Sequence, residues 1–531
     1  MNRRDFLKKA AQLGAVSFVG ASVPTFLLTA CDSKGNSHST PQALPPPAKN
    51  PFADGDTEIL IRTFLGNETR RFYGKGTPKG LNVINKFYLD CGRTIVGTTT
   101  KHWCGAGWTG QPTIIKEKDN LNLVIGAYDH NLRRIDVNSF KEVWKYKNDD
   151  VMKGSSSVYI DETAPFDDRV VVLQGSRLGK GKVVYSDNLV PSLRAVSFRT
   201  GKELWKLNVP RTECYSRDND SSPIYLGNGM LFNAVESGFG MFMSSKVSDK
   251  SLIDGIEQPK IFGKVKLYNT EDVAAHGNNI VVEASPARLD DMIYIASGAG
   301  HIYGIDINKM EVVFDFFTGT DIDGTTVISK DGKVYCALEK QYVPGQGGIL
   351  KLNPLKPAID SVEWFFPTKN ANVADWQGGV IGTCSLNDDY NPDGEFPRLF
   401  ATLAIDGNLY VGSQDVVTGE KVNDTLMKNQ YDTPVLAAKA YIGASISTPI
   451  FTEGNKIVAP TYNGLYLYQL IFEKANNSKE KLPVNAKGDK FKVKLEKLAH
   501  FNEKTSFEAT PVVWDGLIYQ CCRDGYLYQL G

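Results

Sequence analysis

The feature that most constrains this chain is that it repeats itself. A Ser or Thr followed by Pro, an apolar run, a turn, a second run and a short Gly- or Asp-containing turn begin at Ser222-Pro223, Ser285-Pro286, Thr448-Pro449 and Thr510-Pro511, with looser copies at Gln111-Pro112, Ser156-Ser157 and Thr325-Thr326. Two copies match closely. Glu283-Ala284-Ser285-Pro286 leads into Met292-Ile293-Tyr294-Ile295-Ala296 and Ile302-Tyr303-Gly304-Ile305-Asp306, and Glu508-Ala509-Thr510-Pro511 leads into Leu517-Ile518-Tyr519-Gln520 and Tyr526-Leu527-Tyr528-Gln529-Leu530. Units this short cannot bury both faces alone, so each must stack on its neighbours, and the runs are strands. The 531 residues therefore need not divide into several domains.

Composition agrees. Hydrophobic residues at 42% and charged residues at 23% are globular proportions, with 49 Gly for turns. Lys plus Arg is 60 and Asp plus Glu is 60, so no net basic field exists to drive nucleic-acid binding.

After the third strand, Ala195-Val196-Ser197-Phe198-Arg199-Thr200-Gly201-Lys202-Glu203-Leu204-Trp205 places a Thr-Gly-Lys turn and a Trp at fixed offsets. Arg134 to Trp144 and Gly304 to Phe314 keep the register. This resembles the quinoprotein (PQQ-like) β-propeller repeat, and the resemblance implies four-stranded blades with the Trp packed between neighbours. Seven starts are visible, and an eighth, degenerate one fits at Gly378-Gly379-Val380-Ile381-Gly382, followed by Leu399 to Thr402 and Asn408 to Val411 with an insertion around Asn387 to Pro397. The expectation is an all-β, single eight-bladed β-propeller, with seven blades as the alternative. The chain stops after the third strand of its last unit, so an N-terminal strand, Glu58 to Phe64 or Lys86 to Thr94, has to close the ring.

Residues 1–31 have the zones of an export signal. Asn2-Arg3-Arg4-Asp5-Phe6-Leu7-Lys8 resembles a twin-arginine (Tat) signal peptide, and Leu28-Thr29-Ala30-Cys31 resembles a bacterial lipobox, which implies a lipoprotein carrying diacylglycerol and palmitate on Cys31. Residues 32–56, rich in Ser, Pro and Asn, read as a flexible tether, and 57–531 as the propeller. Location is then the cell envelope, lipid-anchored on the periplasmic face of the inner or outer membrane.

In a propeller the blade starts and the turns after the second strands meet on one rim. That rim gathers Asp220, Glu283, Asp323, Glu339, Lys340, Gln377 and Glu508, together with Arg177, Glu236 and Arg523. One reading is a ring of carboxylates and bases able to hold a cation or polar ligand; the other is a solvated rim whose carboxylates cap turns. Quinoprotein dehydrogenases use PQQ and Ca²⁺ with a Trp floor, for which Trp103, Trp108 and Trp376 are the candidates, and carry adjacent bridged cysteines, for which the resemblance offers Cys521-Cys522. With Cys31 set aside, an odd number of cysteines remains, so at least one is not in an internal bridge. His102, beside Trp103-Cys104, is the one histidine in a cluster that resembles a metal site.

Two functions follow from these readings. The first is a membrane-anchored scaffold binding an envelope protein or polar ligand on the rim; in repeats and anchor it resembles the propeller lipoproteins (BamB-like) of the outer-membrane assembly machinery. The second is a periplasmic quinoprotein-like oxidoreductase with PQQ and Ca²⁺.

Overall fold

Strands of the computed structural model pair antiparallel with their sequence neighbours and group into eight sheets of four strands, one of them extended by a fifth. The structure describes residues 50–179 and 187–531, so Arg3, Arg4, Cys31 and most of the expected tether lie outside the described residues. The sheets are the blades of one eight-bladed propeller. Their innermost strands, in order, are Thr113–Glu117, Ser157–Ile160, Ile224–Gly227, Ala287–Leu289, Val327–Ile328, Ser385–Leu386, Ile450–Thr452 and Val512–Trp514. The degenerate sixth blade begins at Thr383-Cys384, just after the glycine run that marks it in the sequence.

The strands are buried on both faces because each blade stacks between two others. Phe232 and Phe242 of blade 3 pack with Ile293 and Ile295 of blade 4, the two rings meeting edge to face at 4.9 Å. Each such side chain contributes roughly 1.5–3 kcal/mol by leaving water. The Thr-Gly-Lys turn does the same job on the face opposite the rim. Gly201 has φ +70°, and a Cβ there would fall 2.9 Å from the ring of Trp144 in the preceding blade, whose indole donates to the Phe198 carbonyl at 2.7 Å.

The recurrent Ser or Thr has a physical reason. The Ser222 amide donates to the Ser285 hydroxyl, Ser285 to Thr325, Thr325 to Thr383 and Thr383 to Thr448, each at 2.9–3.0 Å. Ser285, Thr325, Thr383 and Thr448 thereby each satisfy a backbone amide of the blade before, while the Ser222 and Thr510 hydroxyls donate to the Ser155 and Trp108 carbonyls, continuing the belt around the axis. The same bond runs from the Gln111 amide to Ser155, which puts the start of blade 2 at Ser155-Ser156, one residue earlier than Ser156-Ser157. That register becomes important at the mouth.

Closure uses Val83–Tyr88, which pairs with Tyr526–Leu530 as the outer strand of blade 8. Of the two expected segments, Lys86 to Thr94 overlaps this strand only at its first residues, since Cys91–Val96 turns away into a hairpin with Thr99–Cys104. Thr57–Ile61 instead joins the inner strand of blade 1, because the chain here enters the ring. Residues 62–74 then fill the channel below the belt. The Arg62 carbonyl accepts from Val158, Glu68 from Arg288, Thr69 from Ile328 and Tyr73 from Val513, while the Leu386 amide donates to the Tyr73 hydroxyl. Arg70 is fully buried at the centre, donating to the carbonyls of Phe64, Ser222 and Pro286 and to the Thr63 hydroxyl. The mouth is therefore a blind cup, not the end of a tunnel.

The disulfide joins Cys91 to Cys104 at the base of the hairpin. Cys521 and Cys522, the expected pair, are both buried and unbridged: consecutive residues at a strand end face opposite sides, and each sulfur sits in a different inter-blade core.

Candidate functional site

Two residues before each inner strand lies the Ser, Thr or Gln that joins the belt or opens its blade, and two residues earlier again the chain crosses the rim. One side chain per blade stands at that position: Thr109, Lys153, Asp220, Glu283, Asp323, Ile381, Ile446 and Glu508. The ring is unevenly charged. Blades 3 to 5 form an acidic arc, with Lys153 beside it, and blades 6 and 7 an apolar one, where Ile381 and Ile446 pack with Trp108 and Ile405, backed by Trp376 and Tyr462.

The acidic arc is deepened by the turns that follow the second strands. Glu236 follows Met230–Val235 in blade 3 and Glu339 follows Val334–Leu338 in blade 5, and both are buried. Asp218 and Asp321 come from the loops just ahead of the blade starts. Two sets of three carboxyl groups result, Asp220–Glu236–Glu283 and Asp321–Asp323–Glu339, each with one oxygen per residue within 4.8 Å of the others.

Lys153 enters the first set. It ion-pairs with Asp220 and lies 3.8 Å from Glu283 and 4.0 Å from Glu236. Burial pulls its ammonium toward neutrality, but the three carboxylates outweigh that and hold it protonated. Arg177 donates to Asp218 at 2.7 Å and to the Thr94 hydroxyl and Ile95 carbonyl, pinning the disulfide-bonded hairpin to the rim. Burial pushes the Glu283 carboxyl up to about 8, with Lys153 opposing, and raises Asp220 and Glu236 as well.

The second set has no cationic side chain within ion-pair distance among the described residues. Burial lifts Asp321 to about 7, and burial with the neighbouring Asp321 lifts Asp323 to about 7; Glu339 is raised further by burial and Asp323. Asn279 donates to Asp321 at 2.6 Å and accepts from the Tyr215 hydroxyl at 3.1 Å, which fixes the carboxyl's orientation.

Of the rim residues expected from sequence, Asp220, Glu283, Asp323 and Glu339 come together. Glu508 does not join them: it faces Arg523 at 3.7 Å, and the guanidinium also covers the Tyr128 ring. Lys340 turns aside to the Val343 carbonyl. Gln377 lies exposed on the hairpin strand Trp376–Gly378, because the ring position of blade 6 is Ile381. Sequence reading passes over Lys153, Asp218 and Asp321. Lys153 is hidden by the one-residue register of blade 2, and the Asp pair by a motif visible only when two blades are aligned: Asp218-Asn219-Asp220-Ser221-Ser222 against Asp321-Ile322-Asp323-Gly324-Thr325.

Two other features carry less. His102 stands beside Cys91 and Cys104, whose sulfurs are bonded to each other and are not free thiolate ligands. A cavity of about 410 Å³ between the turns of blades 5 to 7 is lined by Asp331, Asp388, Asp415 and Arg398, where the arginine pairs with all three acids.

The mouth does not fit PQQ. A quinone bearing three carboxylates would meet six acidic groups on one side with, among the described residues, Lys153 as the one opposing ammonium in contact with them, and the tryptophans give it no floor there: Trp103 packs on Tyr128 at 5.2 Å and Trp108 and Trp376 on the apolar arc.

No family model and no curated protein matches this chain. Among solved structures it is similar to BamB from Moraxella catarrhalis, with 13% identity and a TM-score of 0.45 over 85% of this chain and 99% of that one. It is also similar to the computationally designed Ika8 protein, with 9% identity and a TM-score of 0.46 over 86% of this chain and 99% of that one.

Proposed function

We propose that this protein is a non-catalytic binding scaffold of the bacterial envelope, lipid-anchored through Cys31, which offers the propeller mouth to an envelope protein. The observation that carries this reading is the division of one rim into adjoining acidic and apolar arcs, Asp220–Glu283–Asp323 against Ile381–Ile446, above a channel packed by residues 62–74. Such a surface suits a segment that presents Lys or Arg beside apolar side chains. The rigid ring lets the turns vary without disturbing the blades. The basic pair Arg3-Arg4 and the lipobox supply the route and the anchor.

Site-directed photo-cross-linking in the native host tests it. A photoreactive residue at Tyr215 or Tyr342, both 48% exposed at the acidic arc, should trap an envelope protein, while one at Leu252 on the outer hairpin of blade 3 should not. Adducts confined to position 252, or none at the mouth, overturn the reading. In the same cells Cys31→Ser should move the protein from membrane to soluble fraction, since one lipid anchor is the only apolar attachment proposed.

A further inference from the structure

The second carboxyl set has a counterpart in blade 3 by position in the repeat, although the cluster there gathers Glu283 in place of Asp218. Asp218, Asp220 and Glu236 in blade 3 correspond to Asp321, Asp323 and Glu339 in blade 5, each pair of aspartates preceding the blade start by the same offsets and each Glu following Ala-Val or Ala-Leu at the end of the second strand. In blade 3 the protein supplies the positive charge itself, Arg177 on Asp218 and Lys153 on Asp220. In blade 5 the residue on Asp321 is Asn279, which is neutral, and no Lys, Arg or His reaches Asp321, Asp323 or Glu339 within ion-pair distance among the described residues.

Two oxygens of the second set are left without partners. Asp321 is 6% exposed and Glu339 2% exposed, yet Asp321 Oδ1 and Glu339 Oε1 accept from no donor group, and Glu339 meets Asp323 carboxyl to carboxyl. Buried carboxylate oxygens normally have at least one partner, and leaving one unmet costs about 1–3 kcal/mol or more for a charged group. The backbone makes room for them: Gly298 lies so close that a Cβ there would fall 2.7 Å from Asp321 Oδ1. Asp323 is only half-buried, so the set opens to solvent through the mouth.

We propose that Asp321, Asp323 and Glu339 form a binding site for a calcium ion. The donors are all carboxylate oxygens, with no Cys or His in the set, which selects a hard cation over zinc or copper. Three anionic ligands of differing length, converging from two loops, suit the larger and geometrically tolerant Ca²⁺ better than Mg²⁺, which requires near-octahedral ligands at short range. Asn279, held by the Tyr215 hydroxyl, orients Asp321 from behind as outer-shell groups do at metal centres. No quinone enters the site. The ion would do for blade 5 what Lys153 does for blade 3, joining the strand turn of one blade to the loop that precedes its start and offsetting three negative charges at the channel axis.

The site stands apart from the scaffold reading, and the two fail separately. Full-length protein stripped with chelator is titrated with Ca²⁺ by calorimetry, and with Tb³⁺ by luminescence excited through the tyrosines near the site, Tyr215 and Tyr342. Binding of one Ca²⁺ per chain is expected, with Tb³⁺ emission that Ca²⁺ displaces. Asp323→Asn and Glu339→Gln should each weaken Ca²⁺ binding by roughly tenfold or more, as expected for loss of one charged ligand, and abolish the emission. Glu236→Gln, in the set that Lys153 serves, should leave both within about threefold, since Glu236 is no member of the second set and acts on the ion only as a more distant charge. Melting of the stripped variants at or above that of stripped wild type establishes that they fold. No Ca²⁺ heat and no displaceable emission from wild type would overturn the site, as would equal affinity in wild type and Asp323→Asn, or loss in Glu236→Gln alone. Cross-linking of an envelope protein at Tyr342, alongside no Ca²⁺ heat from wild type, would sink the calcium site and leave the scaffold.

Discussion

Blades 3 and 5 place the same Asp-x-Asp pair and the same Glu at the mouth, and the surroundings give them opposite electrostatics. Around blade 3 the neighbouring turns contribute Lys153 and Arg177, so most of the charge is answered inside the protein. Around blade 5 Glu283 stands at the ring position of Lys153 and Asn279, from the loop ahead of blade 4, takes Arg177's place on the aspartate, so one neighbour adds a negative charge and the other adds none. A repeat motif thus sets where side chains go, and the blade before it sets what charge state they keep. Glu283 and Glu508 teach the same lesson at a single position: both stand two residues before a Ser or Thr, but Glu508 has a private Arg523 and Glu283 shares one ammonium with two other acids.

The contrast breaks most sharply at Lys153. Lys153→Met leaves Asp220 and Glu236 buried without their cation and should cost about 3 kcal/mol or more at pH 8. The cost should shrink at pH 5, where the raised carboxyls take up protons. Arg523→Met, by contrast, should cost about 1 kcal/mol, because Glu508 is reached loosely and is partly open to solvent. Chemical denaturation of both variants at the two pH values checks this, and equal losses would show that Lys153 and Arg523 answer their acids alike.

A smaller effect is read through pH alone. In chelator-treated wild type, Asp321 and Asp323 at about 7 and Glu283 at about 8 hold protons more tightly folded than unfolded, where carboxyls titrate near 4. Their stabilisation is complete below about pH 4 and is lost as pH rises through 7 to 8, so they make stability fall between pH 5 and pH 8.5. Calorimetric melting should show that decline, and added Ca²⁺ should flatten it. A melting temperature that rises across the same range would refute the assignment of raised carboxyls.

The smallest expected effect is at the paired positions. Glu283→Gln removes a charge that burial disfavours and should stabilise by about 1 kcal/mol at pH 8.5, while Glu508→Gln should stay within about 0.5 kcal/mol of wild type. Urea midpoints resolve the two, and an equal response would make the repeat position alone decisive.

The blade starts, the Thr-Gly-Lys turn and the missing fourth strand of the last unit are legible in the sequence because each meets a local need. A start residue must satisfy a neighbour's amide, Gly201 must adopt φ +70° against Trp144, and an open sheet edge must be covered. Blade 6 is readable for the same reason, although its start falls at Thr383 beyond the glycines that announce it. Gln377 and Lys340 are misplaced by sequence because a rim position says which face a residue occupies and not where its side chain turns. Lys153 is lost to a shift of one residue, since Ser155, Ser156 and Ser157 offer no local cue to which of them joins the belt.

What the sequence by itself determined is the ring: short strands with repeated turn chemistry have one way to bury both faces, which is to stack blade on blade until the last meets the first. What only the tertiary structure decided is the mouth and the channel beneath it. The N-terminal stretch could have covered the outer edge or entered the axis, and it does both in succession, Thr57–Ile61 and residues 62–74 inside and Val83–Tyr88 outside. The carboxyl groups of Asp220 and Asp323 carry the same local signature, but Lys153 reaches the first and not the second. Charge balance at the axis is a sum over loops from different blades, and such sums depend on distances across the ring that no stretch of sequence contains.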